Sequence, residues 1–280
     1  MSSPVAVVTD STAYLPDGVA QEFGIGVVPL HVVLGGRTGT EGGEISPQDV
    51  AEALAERHLH VSTSRPTPGE FAAAYRATGA TRVVSVHLSA TLSGTHDTAV
   101  IAAAEVAGEG IAVHVVDSRT IAMGLGFAVL AAGRAARAGG GLDEVTAAAR
   151  DSATDVLFYV DTLEHLRRGG RIGAAAALFG TALAVKPLLH VTDGEIAALE
   201  KVRTASKALA RLEDLAVQRA GDGPVDLAVH HLAVPDKAEK LADRLRARLP
   251  QIGALYVSEV GAVVGAHVGP GLLGVVVARR

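Results

Sequence analysis

His87-Leu-Ser-Ala-Thr-Leu-Ser-Gly-Thr-His-Asp-Thr98 is the stretch around which the rest of the chain is organised. It follows Arg82-Val-Val-Ser-Val86, β-branched enough to read as a buried strand. It precedes Ala99–Ala107, whose alanines and valines suit a helix packed on a sheet. Between them Ser89, Thr91, Ser93 and Thr95, with Gly94 among them, set hydroxyl groups at the carboxyl end of a strand and the start of a helix. Open α/β sheets place ligands there, because free amides and the helix dipole both favour an anion. The plain structural alternative is a capped helix, with Ser93 as N-cap and no ligand; this stretch alone is consistent with both.

Working outward, Val5–Thr9 reads as a first strand ending in Asp10-Ser-Thr12, followed by a helix from Pro16 to Phe23 and a second strand, Ile25–Val33. Ser46-Pro-Gln-Asp49 and Thr67-Pro-Gly-Glu70 are matching helix starts: a hydroxyl N-cap, proline at the first helical position and an acid three residues after the cap. The first opens a helix ending near His58, the second a helix through Tyr75. Strand Ile111–Val116, helices Met123–Ala138 and Leu142–Thr154, and strand Val156–Val160 continue the alternation. Such alternation predicts a mostly parallel sheet with helices on both faces. After Asp161 the pattern changes to a charged segment, a small-residue helix Ala174–Leu183, and a hairpin Lys186–Thr192/Glu195–Val202 about an Asp193-Gly194 turn. A helix Thr204–Ala220, strand Val225–His230, helix Pro235–Arg248, strand Ala254–Val260, a loop Gly261–Pro270 and a last strand Leu273–Ala278 complete an α+β region. The expected domains are therefore an α/β domain over 1–160 and an α+β domain over 161–280.

Composition narrows the function classes. The 280 residues carry a net charge of −5 with no basic block, so a nucleic-acid footprint is missing. Hydrophobic residues make up 49% but aromatics only 3%, and mean hydropathy is +0.32, so the interior is built from Ala, Val and Leu. A bias toward Ala, Gly, Val and Arg over Lys, typical of a GC-rich genome, and an internal apolar cavity both account for that. With no cysteine there are no disulfides, thiolate metal sites or cysteine nucleophiles. The start, Met-Ser-Ser-Pro-Val, lacks a signal-peptide pattern, and no apolar run reaches the roughly 18 residues of a membrane span. The expectation is a cytoplasmic protein without a transmembrane segment.

Two further stretches resemble the first in chemistry. In His60-Val-Ser-Thr-Ser-Arg-Pro-Thr-Pro68 two prolines stiffen a loop that carries Thr63 and Ser64. In Gly265-Ala-His-Val-Gly-Pro-Gly-Leu-Leu-Gly274 the glycines match a dinucleotide pattern, but a strand follows where a helix is required. NAD is therefore discounted, and a glycine turn beside His267 remains. The eleven histidines form no zinc-binding spacing, and no lipase elbow or P-loop is present, so no metal or cofactor is expected. Arg167, Arg168 and Arg171, and separately Lys201, Arg203 and Lys207, bring positive charge that a solvated face also explains.

Taken together these stretches identify a resemblance. The chain resembles the DegV family over essentially its whole length, through Thr9-Asp-Ser-Thr12, Val28-Pro-Leu30, Ser62-Thr-Ser-Arg-Pro66, Leu88-Ser-Ala-Thr-Leu-Ser-Gly-Thr95, Val116-Asp-Ser118, Asp161-Thr-Leu163, Arg168-Gly-Gly-Arg-Ile172, Lys186-Pro187, Lys201-Val-Arg-Thr204 and His267-Val-Gly-Pro-Gly271. Arg65 stands where the family commonly has Gln, and Ala90 where it commonly has Ser. The resemblance implies an α/β domain and an α+β domain with a lipid cavity between them. It implies a non-catalytic carrier that binds a long-chain fatty acid and presents it to a separate kinase for acyl-phosphate formation. It assigns the carboxylate to Ser93, Thr63 and His267, with Ser64, Gly94 and Thr95 beside them, and sets Arg203 and Arg171 toward the kinase partner. Burying a tail of about sixteen carbons gains roughly 12 kcal/mol gross, which offsets an imperfect head-group site. A rival from another class, a small hydrolase with Ser93 as nucleophile and His267 as base, needs an acid to orient the histidine; Asp10 and Asp117 are its candidates.

Overall fold

The computed structural model describes residues 5–56, 60–178 and 186–280. In chain order the elements are β1 (Ala6–Asp10), α1 (Val19–Phe23), β2 (Ile25–Val28), β3 (His31–Leu34), β4 (Arg37–Thr40), α2 (Pro47–Ala55), β5 (Val61–Ser64), α3 (Pro68–Ala77), β6 (Arg82–His87), α4 (Thr95–Ala107), β7 (Ala112–Asp117), α5 (Met123–Arg137) and α6 (Leu142–Arg150). There follow β8 (Thr154–Tyr159), α7 (Glu164–Arg168), β9 (Lys186–Thr192), β10 (Glu195–Val202), α8 (Ala205–Ala220), β11 (Val225–His231), α9 (Pro235–Arg248), β12 (Ile252–Glu259), α10 (Ala262–Val268) and β13 (Leu273–Arg279). They divide into two compact units, Met1–His31 with Ser64–Ser152, and Val32–Thr63 with Ala153–Arg280.

The first unit is a parallel sheet in the order β2-β1-β6-β7. On one face Val8, Val28 and Val83 pack against Phe71, Ala72 and Tyr75 of α3 and against Ala99, Ala102 and Val106 of α4. Strand alternation sends Val7 and Val84 to the other face, and α5, buried from Met123 to Leu130, packs on β1 and β6. Both predicted capping boxes form: the Ser46 and Thr67 hydroxyls accept the amides of Asp49 and Glu70, whose carboxylates accept the cap amides in return.

The second unit holds a six-stranded mixed sheet, β10-β9-β8-β13-β11-β12, antiparallel except between β11 and β12. Its core joins Leu157, Leu188, Leu227, Val275 and Val277 to the inner faces of α8 and α9. The hairpin turn has Asp193 and Gly194 both at positive φ, 51° and 84°, the primed turn that Asp-Gly favours. A small sheet, β4-β3-β5, carries α2 and α10 into the same unit.

Several sequence-based boundaries move. The expected strand Ile25–Val33 is two strands in different sheets, broken at Pro29, which has no amide to give to a ladder. The 160/161 boundary gives way to a discontinuous division: residues 32–63 group with the C-terminal region, and β8 belongs to the mixed sheet between β9 and β13. Val156-Leu-Phe-Tyr-Val160 is apolar at every position, a pattern shared by parallel strands and central antiparallel ones. Val61–Ser64, read as part of a loop, is a strand, and Gly261–Pro270 contains α10. Ser93 is not the N-cap of α4; Gly94 is, without a side-chain cap. The expected ends of the helices near His58 and Leu183 lie outside the described residues, and Gly173–Leu178 is a 3-10 turn.

Candidate functional site

In the second unit β5 delivers Thr63 and the last turn of α10 delivers His267, 204 residues away. Thr63 Oγ1 lies 2.9 Å from His267 Nε2. Among the described residues the other ring nitrogen, Nδ1, is buried with no hydrogen-bond partner. Burial, reinforced by Arg171, lowers the His267 pKa to about 4, so the ring is neutral at pH 7 and carries one proton. A buried donor without an acceptor is rarer and costlier than an under-used acceptor. The proton therefore sits on Nε2 and is given to Thr63 Oγ1, which leaves the Thr63 hydroxyl hydrogen to donate elsewhere. The pair presents a donor, suited to an anionic oxygen.

Two glycines fix this arrangement. A Cβ at Gly169, just after α7, would overlap His267 Nδ1 and lie 2.7 Å from Cε1. A Cβ at Gly269, just after α10 and at φ 75°, would overlap His165 Cδ2 and lie 2.7 Å from Nε2. Each histidine thus rests on the glycine that follows the other's helix, which gives Arg168-Gly-Gly-Arg171 and His267-Val-Gly269 a common structural cause. At the start of α10 the Glu41 carboxylate accepts the Val263 amide at 2.8 Å, compensating an N-terminus that Gly261 leaves without a side-chain cap. Thr63 and His267 line a cavity of about 650 Å³ together with His60, His165, Arg168 and Arg171. Burial, reinforced by Arg168, lowers the His165 pKa. Arg171 is half-buried and donates to the Gly169 carbonyl at 2.5 Å, so it belongs to the cavity wall.

In the first unit the hydroxyl loop joins β6 to α4. Ser93 Oγ is 2.8 Å from Thr95 Oγ1 and accepts the Thr95 amide at 3.3 Å. Ser89 is buried, and its hydroxyl accepts the Thr91 amide at 3.2 Å. Beneath the loop runs a fully buried chain. Tyr75 donates to Ser85 Oγ at 3.0 Å, Ser85 Oγ lies 2.6 Å from His87 Nε2, and His87 Nδ1 lies 3.1 Å from Asp10 Oδ2. Asp10 Oδ2 also accepts the Leu88 amide at 3.0 Å, while Oδ1 accepts the Thr12 amide and hydroxyl at 3.1 and 2.6 Å. The hydroxyl loop therefore starts from a backbone amide pinned to a carboxylate that four donors satisfy.

The chain matches the family described as "Uncharacterised protein, DegV family" over residues 4–280. The chain belongs to the DegV family. A DegV domain-containing protein of Streptomyces coelicolor is 61% identical over 285 residues, covering 100% of both chains. Two solved DegV structures superpose with a TM-score of 0.90 at 34% identity over 99% of each chain: a fatty-acid-binding DegV family protein from Thermus thermophilus and DegV, a fatty acid binding protein from Bacillus subtilis. No helix among the described residues is long and apolar enough to cross a membrane, and none of their His, Asp and Glu side chains cluster to hold a metal.

Against this DegV frame the site residues named from sequence fall into distinct settings. Thr63 and His267 meet directly; Ser93 and Gly94 end the hydroxyl loop and Thr95 opens α4; Ser64 is exposed at the end of β5. Arg203 is exposed ahead of α8, whose N-cap is Thr204, and forms no salt bridge among the described residues. Neither acid suggested for a hydrolase orients His267. Asp10 serves His87, and Asp117 Oδ1 accepts the amides of Ala90 and Arg119. Sequence reasoning missed His87, Glu41, His165 and the two glycine contacts, since each acts through a partner distant in the chain. Only His87 gave a local signal, an ionisable residue at the end of a largely apolar strand.

Proposed function

We propose that this protein binds a long-chain fatty acid and presents the carboxylate to a separate kinase, which converts it to an acyl-phosphate. The observation that carries the reading is the Thr63–His267 pair, in which a neutral, glycine-seated imidazole lies 2.9 Å from a threonine hydroxyl in the wall of the cavity. The likeness to solved DegV proteins described as fatty-acid-binding supports the same ligand. The reading assigns hydrogen bonds to the carboxylate to Thr63, Ser64, Ser93, Gly94, Thr95 and His267, and the kinase-facing charge to Arg203 and Arg171. A carboxylate taken from water needs several such bonds, and hydroxyls and amides supply them without a lysine.

Mass spectrometry of small molecules extracted from purified, denatured protein should find near-stoichiometric fatty acid. Ser93→Ala should weaken oleate binding by about fivefold or more while the fold survives, as the hydroxyl's local bonds are worth about 1 kcal/mol. Protein that yields no lipid, together with Ser93→Ala and His267→Ala variants that bind oleate as wild type does, would refute the reading.

A further inference from the structure

The side chain lying over the hydroxyl loop is Arg65. A Cβ at Gly94 would overlap Arg65 Nη1 and lie 2.9 Å from Cζ and 3.1 Å from Cδ, so the guanidinium is spread over the Gly94 backbone. Gly94 stands between Ser93 and Thr95, whose hydroxyls are 2.8 Å apart. Arg65 is held at its backbone on both sides. It follows β5, and it precedes the buried Pro66, which restricts it to extended conformations. Thr67 then caps α3 through its exchange with Glu70. Among the described residues no carboxylate forms a salt bridge with Arg65, whereas Arg76 in the same unit is paired with Glu105 and Glu109.

From this we infer that Arg65 is the charge-selecting residue of the hydroxyl loop: it makes the loop prefer an ionised acyl carboxylate over a neutral acyl group of the same length. The inference rests on the fatty-acid reading and adds to it the basis of head-group specificity. Serine and threonine hydroxyls hydrogen-bond an alcohol, an ester or a carboxylate alike, because they both donate and accept. A guanidinium only donates and stays charged, so it rewards an anion and gives little to a neutral head group. Gly94 is part of the device, since any side chain there displaces the guanidinium.

The test is equilibrium binding of oleate and of oleyl alcohol to delipidated full-length protein at about pH 8, where the acid is ionised. Wild type should prefer oleate. Arg65→Met should bind oleate about tenfold more weakly, as expected for loss of a charge-assisted hydrogen bond, and oleyl alcohol within about twofold of wild type. Arg65→Lys should keep part of the preference, and Gly94→Ala, which retains the arginine but moves it, should lower oleate affinity as Arg65→Met does. Circular dichroism checks that each variant folds. Wild type binding oleate and Arg65→Met binding it equally well would overturn the inference and leave the fatty-acid reading standing. Wild type binding neither ligand would overturn both.

Discussion

Asp10 is where a single-atom change has the largest calculable effect. Its two oxygens accept four bonds in a setting with no exposure to water: Thr12 N–H and O–H on Oδ1, Leu88 N–H and His87 Nδ1–H on Oδ2. Since the carboxylate only accepts, His87 must donate through Nδ1, and its Nε2 lone pair is the acceptor for the buried Ser85 hydroxyl. Burial, partly offset by the Ser85 bond, pushes the Tyr75 phenol up to about 12, so it remains a donor at the head of the chain.

In Asp10→Asn an NH₂ group takes the place of one oxygen and faces two donors. In the place of Oδ1 the Thr12 hydroxyl can turn to accept from it; in the place of Oδ2 His87 can move its proton to Nε2, after which Ser85 donates to Tyr75 and Tyr75 to the Ala99 carbonyl, 3.5 Å away. The backbone N–H on that side, of Thr12 or of Leu88, has no such escape, and one unsatisfied buried donor costs about 1–3 kcal/mol. In Asp10→Ala the Thr12 and Leu88 amides and the His87 proton all lose their acceptor. That is about 3–9 kcal/mol, comparable with the 5–15 kcal/mol that holds a typical domain together. At about 4 °C per kcal/mol, thermal melts should show Asp10→Asn lower by roughly 4–12 °C and Asp10→Ala lower by roughly 12 °C or more. Nitrogen NMR should find the His87 proton on Nδ1 in wild type, facing the carboxylate. An Asp10→Ala protein melting within about 2 °C of wild type, or a wild-type His87 without a proton on Nδ1, would refute the reasoning.

Two further predictions concern charge. Burial is the main cause that lowers both His267 and His230 to about 4, whereas an unfolded histidine titrates near 6.5. Between those values the unfolded chain binds more protons, so the contribution of both rings is intact above about pH 6.5 and is lost as pH falls toward 4. NMR at about pH 5 should find both rings neutral; a His267 that titrates near 6.5 counts against the buried pair. Arg203→Ala should leave lipid occupancy and melting temperature unchanged, because the exposed guanidinium forms no salt bridge among the described residues. It should cut acyl-phosphate formation with the cognate kinase about fivefold or more, the effect of removing an interface anchor worth about 1 kcal/mol. Normal turnover would return Arg203 to the solvated charges.

Much of the fold was legible wherever a signal is local. Both capping boxes and the Asp193-Gly194 hairpin rest on contacts within a few residues, and each forms as its sequence predicts. What failed depends on partners remote in sequence. Nothing inside Val61-Ser-Thr-Ser64 announces a strand, since its pairing is supplied by β3. Nothing inside Val156–Val160 distinguishes the parallel sheet from the mixed one. The α10 segment holds Gly265, a poor helix former, and its position is set by Leu232, whose Cδ2 would lie 3.3 Å from a Cβ there.

The site divides in the same way. Residue types were legible: Thr63, Ser93 and His267 stand out because hydroxyls and an imidazole sit in glycine- and proline-rich turns. Which nitrogen of His267 meets Thr63 was not legible, because Gly169 decides it. A methyl group at 169 would occupy the place of Nδ1, so the ring would have to rotate or withdraw, and Thr63 would lose its bond to Nε2. The same holds in mirror fashion for His165 and Gly269, where a positive φ adds backbone strain to any side chain. Gly169 and Gly269 contribute no functional atom, yet they fix where the two imidazole rings sit; the glycines therefore belong to the site as fully as the histidines that rest on them.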